Sequence, residues 1–299
     1  MPRPALAVEI SQEQIAAVRW TRAGLIDGFA VEPLPLGALV PSPVEANVVD
    51  PAALRTAMGN ACSQLGVKDE DVTLLVPDPV IRVFVQHFDD FPRSPREALP
   101  MLRWKLRKSV PFEIDDTVLS YNRQAPREAG VDIVTVLARQ GIVREYEELA
   151  ESVGMFPGVM LSSSLAALAL LEEHKPTLLA RVSGTALTTV IVRDGMVCGY
   201  RTTELPVRAA DLTPQMLLDE IFPMTAYYQD AWHQGIESVR VAGIGARLPE
   251  FVALLQDEFH CGVLSPLHSA VADGRIPEFA RPLVDRELEG LLGWMMNRG

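Results

Sequence analysis

"LLARVSGTALTTVIVRDGMVCGYRTTEL" (residues 178–205) reads as a strand, a turn of small residues, a second strand, a tight Asp-Gly turn and a third strand. The first turn, Ser183-Gly184-Thr185, is built like an anion cradle, because backbone N–H groups in such a turn can converge on a phosphate. The strand enters it through Arg181, where a cradle of this kind ordinarily has an aspartate. A second copy of the pattern begins at Glu9: "EISQEQIAAVRWTRAGLIDGFAVE". Ser11 aligns with Ser183, Val18 with Val190, and Gly24 and Gly28 with Gly195 and Gly199 after one gap. A duplicated strand–turn–strand–turn–strand unit heading each half predicts two related lobes. The two first turns would then face one cleft.

A third element completes that cleft. "VRVAGIGARLPEFVALL" (239–255) is a buried strand running through Gly243, Gly245 and Ala246 into a helix. Close glycines let backbone approach a flat ligand. The spacing lacks the full dinucleotide fingerprint and no acidic partner is placed, so a Rossmann reading is rejected. A phosphate loop of the G-x-x-x-x-G-K-S/T type is also missing.

The rest of the chain alternates strands and helices, which favours α/β or α+β layers. Strands are expected at 5–10, 14–20, 24–32, 117–124 and 131–138, with Gly24 in a turn. "DVTLLVPD" and "VIRVFVQHF" read as strands parted by Pro77-Asp78-Pro79. Helices are expected at 52–66, 140–153, 162–174, 214–234, 248–259 and 286–297. Ser94 and Pro95 open another at 94–110, with Pro100 kinking it or delaying its start. Leu99, Leu102, Leu106 and Val110 give that helix its core stripe. Met101, Trp104, Lys105 and Lys108 fall on the far side, flanked by Arg96, Arg103 and Arg107.

At 299 residues the chain exceeds one average core, and its net charge of −12 disfavours non-specific nucleic-acid binding. No apolar run is long enough for a transmembrane helix, and the N-terminus lacks a signal-peptide core. The expected compartment is the cytosol. Cys62, Cys198 and Cys261 suggest neither a disulfide framework nor zinc. Ser162, Ser163 and Ser164 lack a nucleophile elbow and read as helix caps. The five histidines lack metal-ligand spacing, and Glu113, Asp115 and Asp116 form a solvated acidic turn.

The order of two hairpin turns, a helix and a glycine turn before a helix resembles the actin-like ATPase superfamily. Within it the chain resembles the PilM family of type IV pilus assembly, related to the division protein FtsA. The likeness runs nearly end to end. "LLVPDPVIRVFVQHFDDFP" and "KSVPFEIDDTVLSYN" resemble the family's small inserted domain. "MTAYYQDAWHQGIESVRVAGIGARLPEF" resembles the second lobe's helix and adenosine-contacting turn, and "LEGLLGWMMNRG" the closing helix. The cytoplasmic part of the type II secretion protein GspL is similar, but continues into a membrane span.

The resemblance implies an α/β, actin-like (ribonuclease H-like) two-lobed fold with a small inserted α+β domain. Residues 1–78 would form the first lobe, 79–155 the insert and 156–299 the second lobe, with the last helix able to return to the first. It also implies a nucleotide-like cleft at Glu9, Ser11, Gln12, Arg181, Ser183, Gly184, Thr185, Gly243, Gly245 and Ala246. That cleft departs from the family. Gln12 and Glu13 are bulky where small residues admit phosphates, and Arg181 replaces an aspartate. Beside Mg²⁺ that exchange is repulsive. Two readings of Arg181 stand: it pairs with phosphate directly, or it bonds Glu9 across the cleft. ATP or ADP with Mg is therefore expected to bind weakly or not at all, and no catalytic or metal-ligating residue is assigned.

The family binds the cytoplasmic tail of the membrane protein PilN between its first lobe and the insert. Met101, Trp104, Lys105 and Lys108 are the expected partner-binding residues here. The expected function is a non-catalytic scaffold of the type IV pilus inner-membrane platform, reaching the membrane only through partners. The alternatives are an active actin-like ATPase or kinase, and a GspL-like secretion module.

Overall fold

The computed structural model describes residues 4–21, 25–126, 130–171 and 174–297. The expected turn at Gly24 therefore lies outside the described residues, as do Glu172 and Glu173 of the expected helix 162–174. The first repeat gives β1 (Leu6–Ile10), β2 (Gln14–Trp20) and β3 (Ile26–Pro33). Then come α1 (Pro51–Gln64), β4 (Asp71–Val76), β5 (Arg82–Phe88), α2 (Pro95–Leu106), β6 (Thr117–Pro126), β7 (Val131–Arg139) and α3 (Gln140–Glu151). β8 (Phe156–Ser162) and α4 (Ser163–Ala167) lead to the second repeat: β9 (Thr177–Ser183), β10 (Ala186–Arg193) and β11 (Met196–Glu204). The chain closes with α5 (Pro214–Trp232), β12 (Ser238–Ala242), α6 (Leu248–Phe259), β13 (Gly262–Leu264), α7 (Pro266–Ala272), α8 (Arg281–Val284) and α9 (Glu289–Met296).

Two five-stranded sheets share one order. The first runs β3-β2-β1-β4-β8 and the second β11-β10-β9-β12-β13. In each, the hairpin unit supplies three antiparallel strands, and two parallel strands follow the first of them. The duplication read in the hairpins thus extends to whole sheets. Glu9 opposes Ala16 in the first, and Arg181 opposes Thr188 in the second.

Each sheet buries both faces. In the first, Leu6, Val8 and Ile10 pack on Leu54 and Met58 of α1 and Tyr146 of α3. Its other face, with Ala7, Ala16 and Val18, meets Leu288, Leu291 and Leu292 at the start of α9. In the second, Leu178, Ala180 and Val182 meet Leu217, Ile221 and Tyr228 of α5 and Phe251 and Leu255 of α6. α1 is well specified: Asp50 accepts from the Ala52 and Ala53 amides, Pro51 opens the helix, and Gly66 follows its end at φ +61°.

The insert is a three-stranded sheet, β5-β7-β6. Alternation gives its two faces different neighbours. Val83, Val85, Val134 and Ala138 join the first lobe's core, while Phe88, Val131 and Ile133 pack under Ala98 and Leu102 of α2. α2 therefore covers the side of the insert that faces away from the first lobe.

Several expectations change. Residues 156–162, expected in the second lobe, pair in parallel with β4 in the first sheet. This strand is hard to read because Pro157 and Gly158 interrupt it. Its place at a sheet edge, with a register shift at Val72/Thr73, accommodates the proline. α9 begins at Glu289, not 286, and packs against α4 and β1. α2 starts at Pro95 and runs through Pro100, which faces solvent. Ser94 precedes it without a side-chain capping bond. Ala98 takes the buried position expected of Leu99, which is half-buried. Ser162 does cap α4, accepting from the Leu165 amide at 3.2 Å. Among the described residues, no helix is long and apolar enough to cross a membrane.

Candidate functional site: the interlobe cleft and the inserted domain

The two first turns face each other. Glu9, Ser11, Gln12, Arg181, Ser183 and Gly184 line one cavity of about 180 Å³, which Glu13, Gly243, Arg286, Glu287 and Glu289 share. Gly243, Gly245 and Ala246 line an adjoining, more apolar cavity of about 260 Å³ with Leu267, His268 and Val284. The predicted cleft is thus assembled from the predicted elements, with one exception. Thr185 opens into a different cavity of about 420 Å³, with Pro41, Pro43, Pro79 and Arg82, because the turn at Gly184 reverses the chain.

The turn chemistry is largely self-satisfied. The Ser11 hydroxyl accepts from the Gln14 and Glu13 amides at 3.1 and 3.3 Å and donates to the Gln14 carbonyl at 3.0 Å. Those amides close their own turn instead of facing an anion. Gln12 reaches across to the opposite turn: a Cβ added to Gly184 would lie 1.7 Å from its Oε1. Gly184 has φ +61°, so glycine is required there both for the backbone and for this approach.

Arg181 bonds Glu9 across the cleft, the second of the two readings left open by the sequence. Its Nη2 lies 3.0 Å from Glu9 Oε1 and its Nη1 3.5 Å from Asp78 Oδ2. All three side chains are buried. β9 supplies the arginine, β1 supplies Glu9, and the turn after β4 supplies Asp78, so the pair spans the lobes. Glu9 Oε2 also accepts from the Leu291 amide at 3.2 Å, at the start of α9. Asp78 accepts from the Ser164 amide and hydroxyl, from Thr188 Oγ1 at 3.0 Å and from the Tyr200 hydroxyl at 3.3 Å. Burial alone would lower the Arg181 pKa, but Glu9, Asp78 and Glu289 outweigh it and hold the guanidinium charged. Burial, followed by Asp78, pushes the Tyr200 phenol well above its ordinary value. Glu289 is 4% exposed, and burial pushes its carboxyl up to about 7 against the pull of Arg181.

A fold of this shape implies a magnesium nucleotide, and the residues on the phosphate side do not fit one. Arg181 is committed to two carboxylates, and Gln12 occupies the approach to Gly184. Four carboxylates, Glu9, Glu13, Glu287 and Glu289, line the polar cavity against two arginines, Arg181 and Arg286. That balance repels phosphate. Among the described residues no acidic, His or Cys cluster is arranged to hold a metal ion.

Sequence reading missed Asp78, Tyr200, Glu287 and Glu289. Asp78 was signalled weakly, as an acid between two prolines at the end of an apolar strand. Glu289 carried no signal, because it opens an apolar helix whose packing partner is distant in sequence.

The expected partner residues lie elsewhere than expected. Met101, Trp104 and Lys105 belong to α2, and Lys108 lies just beyond its end, on the side of the insert away from the first lobe. They do not line a groove between the two. Trp104 is 79% exposed, and Lys105 lies 3.8 Å over the Phe88 ring. Arg103 turns inward and donates to the carbonyls of Ile114 and Thr117. A cavity of about 390 Å³ opens within the first lobe, between the chain around the start of α1 and α3, which pack on the same sheet. Its walls are Ala46, Val48, Pro51 and Arg55 on one side, and Glu145, Glu148 and Leu149 of α3 with Ser152 at its end on the other. Glu145 ties the walls together, accepting from the Asn47 and Val48 amides at 2.7 and 3.0 Å.

No family model matches the chain, and no curated protein matches it. Among solved structures, it is similar to a chain of a PilM–PilN type IV pilus biogenesis complex, at 18% identity. That likeness covers 98% of this chain and 97% of the other, with a TM-score of 0.73. A protein from Bacteroides thetaiotaomicron with an actin-like ATPase fold and unknown function is similar at 9% identity, covering 94% and 95%, with a TM-score of 0.51. The cytoplasmic domain of EpsL, an inner-membrane component of the type II secretion system of Vibrio cholerae, is 11% identical. It covers 80% and 82%, with a TM-score of 0.49. The chain has the actin-like ATPase fold, and its likeness to a chain of the PilM–PilN complex runs from end to end.

Proposed function

We propose that this protein is a non-catalytic scaffold of a type IV pilus inner-membrane platform. It sits at the cytoplasmic face and binds the cytoplasmic tail of a PilN-like membrane protein. The observation that carries this reading is the buried bridge from Arg181 to Glu9 and Asp78. It occupies the position between the lobes where a working cleft would hold its ligand's phosphates. The lobes are thus joined from within, and the molecule serves as a platform. The partner class is supported by the end-to-end likeness to a chain of a PilM–PilN complex. The tail's seat is the cavity between Arg55 and α3.

Calorimetric titration with a synthetic PilN-like tail tests this. Wild type is expected to bind. Arg55→Glu and Ser152→Trp, which reverse and fill the cavity wall, are expected to weaken binding by roughly tenfold or more. Absence of binding by wild type, or equal affinity in both variants, would reject the reading.

A further inference from the structure

Helix α2 has a second surface that the tail-binding reading leaves unused. From Phe91 to Phe112 the chain has six cations, Arg93, Arg96, Arg103, Lys105, Arg107 and Lys108, and one carboxylate, Glu97, within a protein of net charge −12. Ala98, Leu102 and Leu106 point into the insert and are buried. At about 100° per residue, Arg96 and the C-cap Arg107 fall within roughly a quarter turn of Trp104, while Arg93 just precedes the helix and Lys108 just follows it. All five are exposed. Arg107 also touches Asp115 at 3.2 Å, on the edge of the face.

The chemistry of this face is specific. Tryptophan has an apolar body with a polar edge, and it is stabilised at the boundary between headgroups and acyl chains. Lysine and arginine around it can meet anionic headgroups while their stems cover apolar surface. The face is an exposed helical ridge on the outer side of the insert. The cavities described above lie elsewhere. Such a ridge can press into a flat layer. Elsewhere the acidic protein is repelled by such a layer, so the ridge also fixes which side approaches.

We propose that the Trp104 face of α2 binds an anionic lipid surface directly, giving a second point of attachment beside the partner tail. Two linked contacts raise the effective concentration of each. The proposal does not depend on the tail, because vesicles without protein test it.

The experiment is co-sedimentation of the full chain with vesicles of phosphatidylcholine alone, and of phosphatidylcholine and phosphatidylglycerol in equal parts. Binding is expected to the mixed vesicles only, and to fall with added salt. Arg96→Glu with Lys108→Glu should lower the partition coefficient by roughly twentyfold or more, at about fivefold per basic residue removed. Trp104→Ala should weaken binding and abolish a lipid-induced blue shift in tryptophan emission. These side chains are exposed, so the variants should melt like wild type. Three results would overturn the proposal: wild type remaining in the supernatant, equal binding to both vesicles, or charge reversal without effect. Binding of an acidic peptide without vesicle binding would replace the lipid by a protein partner.

Discussion

Replacing Glu289 with glutamine should flatten the pH dependence of stability. The carboxyl is 4% exposed and its pKa is raised from 4.5 to about 7, chiefly by burial. A raised native pKa means that the folded state holds the proton more tightly than the unfolded state. Between those values the native state binds more protons, so stability falls as pH rises. The contribution is fully present below the unfolded pKa and is lost through the folded one. A shift of about 2.5 units at 1.36 kcal/mol each makes the total loss ~3 kcal/mol. For 299 residues, at about 2.1 cal/mol/K each, unfolding entropy near the midpoint is roughly 0.6 kcal/mol/K. Glu289→Gln should therefore melt ~5 °C above wild type at about pH 8 and close to it at about pH 4.5. Calorimetric melts of both proteins across that range are the assay. Parallel Tm profiles would refute the reasoning, because they would mean that Glu289 stays ionised in the fold.

Arg181→Met should cost about 3–5 kcal/mol, because Glu9 and Asp78 stay buried without their cation; urea unfolding reads it. Asp78→Ala removes the acceptor shared by Arg181, Ser164, Thr188 and Tyr200 and should cost a similar amount, about 3–5 kcal/mol, in the same assay. Gly243→Ala, at φ +78° with its Cβ 1.8 Å from the Val182 carbonyl oxygen, should lose about 2–4 kcal/mol. Titrating wild type with Mg-ATP at roughly millimolar concentration should give no binding heat; saturable heat would show that the Arg181 bridge opens for the ligand.

The hairpin units were legible because each is local. Alternating residues, a small-residue turn and a glycine turn are written within about two dozen positions, and pairing the units aligned Glu9 with Arg181 correctly. Helices with regular apolar spacing, such as α1, were legible for the same reason. β8 was not, because its stability comes from lying beside β4 and not from its own Pro-Gly-containing sequence. The insert was recognised, but the side on which α2 lies was not, since a helical wheel separates buried from exposed faces without naming what covers the buried one. The cleft's turns were found, while its charges were not. Asp78 and Glu289 meet Arg181 only after three elements from distant parts of the chain converge.

The contact between Glu9 and the Leu291 amide spans 282 residues. It makes order of synthesis a physical variable. While the ribosome is still adding the second sheet, β1 and β2 have one apolar face, Ala7, Ala16 and Val18, with most of its cover not yet made. The first lobe can gather around α1 and α3 early, but it stays open on that side until the segment bearing Leu288, Leu291 and Leu292 emerges. The nascent chain thus passes through a long interval with a sticky half-finished surface, the situation that recruits holding chaperones. A stalled or truncated product lacking α9 would carry that surface permanently and be a substrate for quality control.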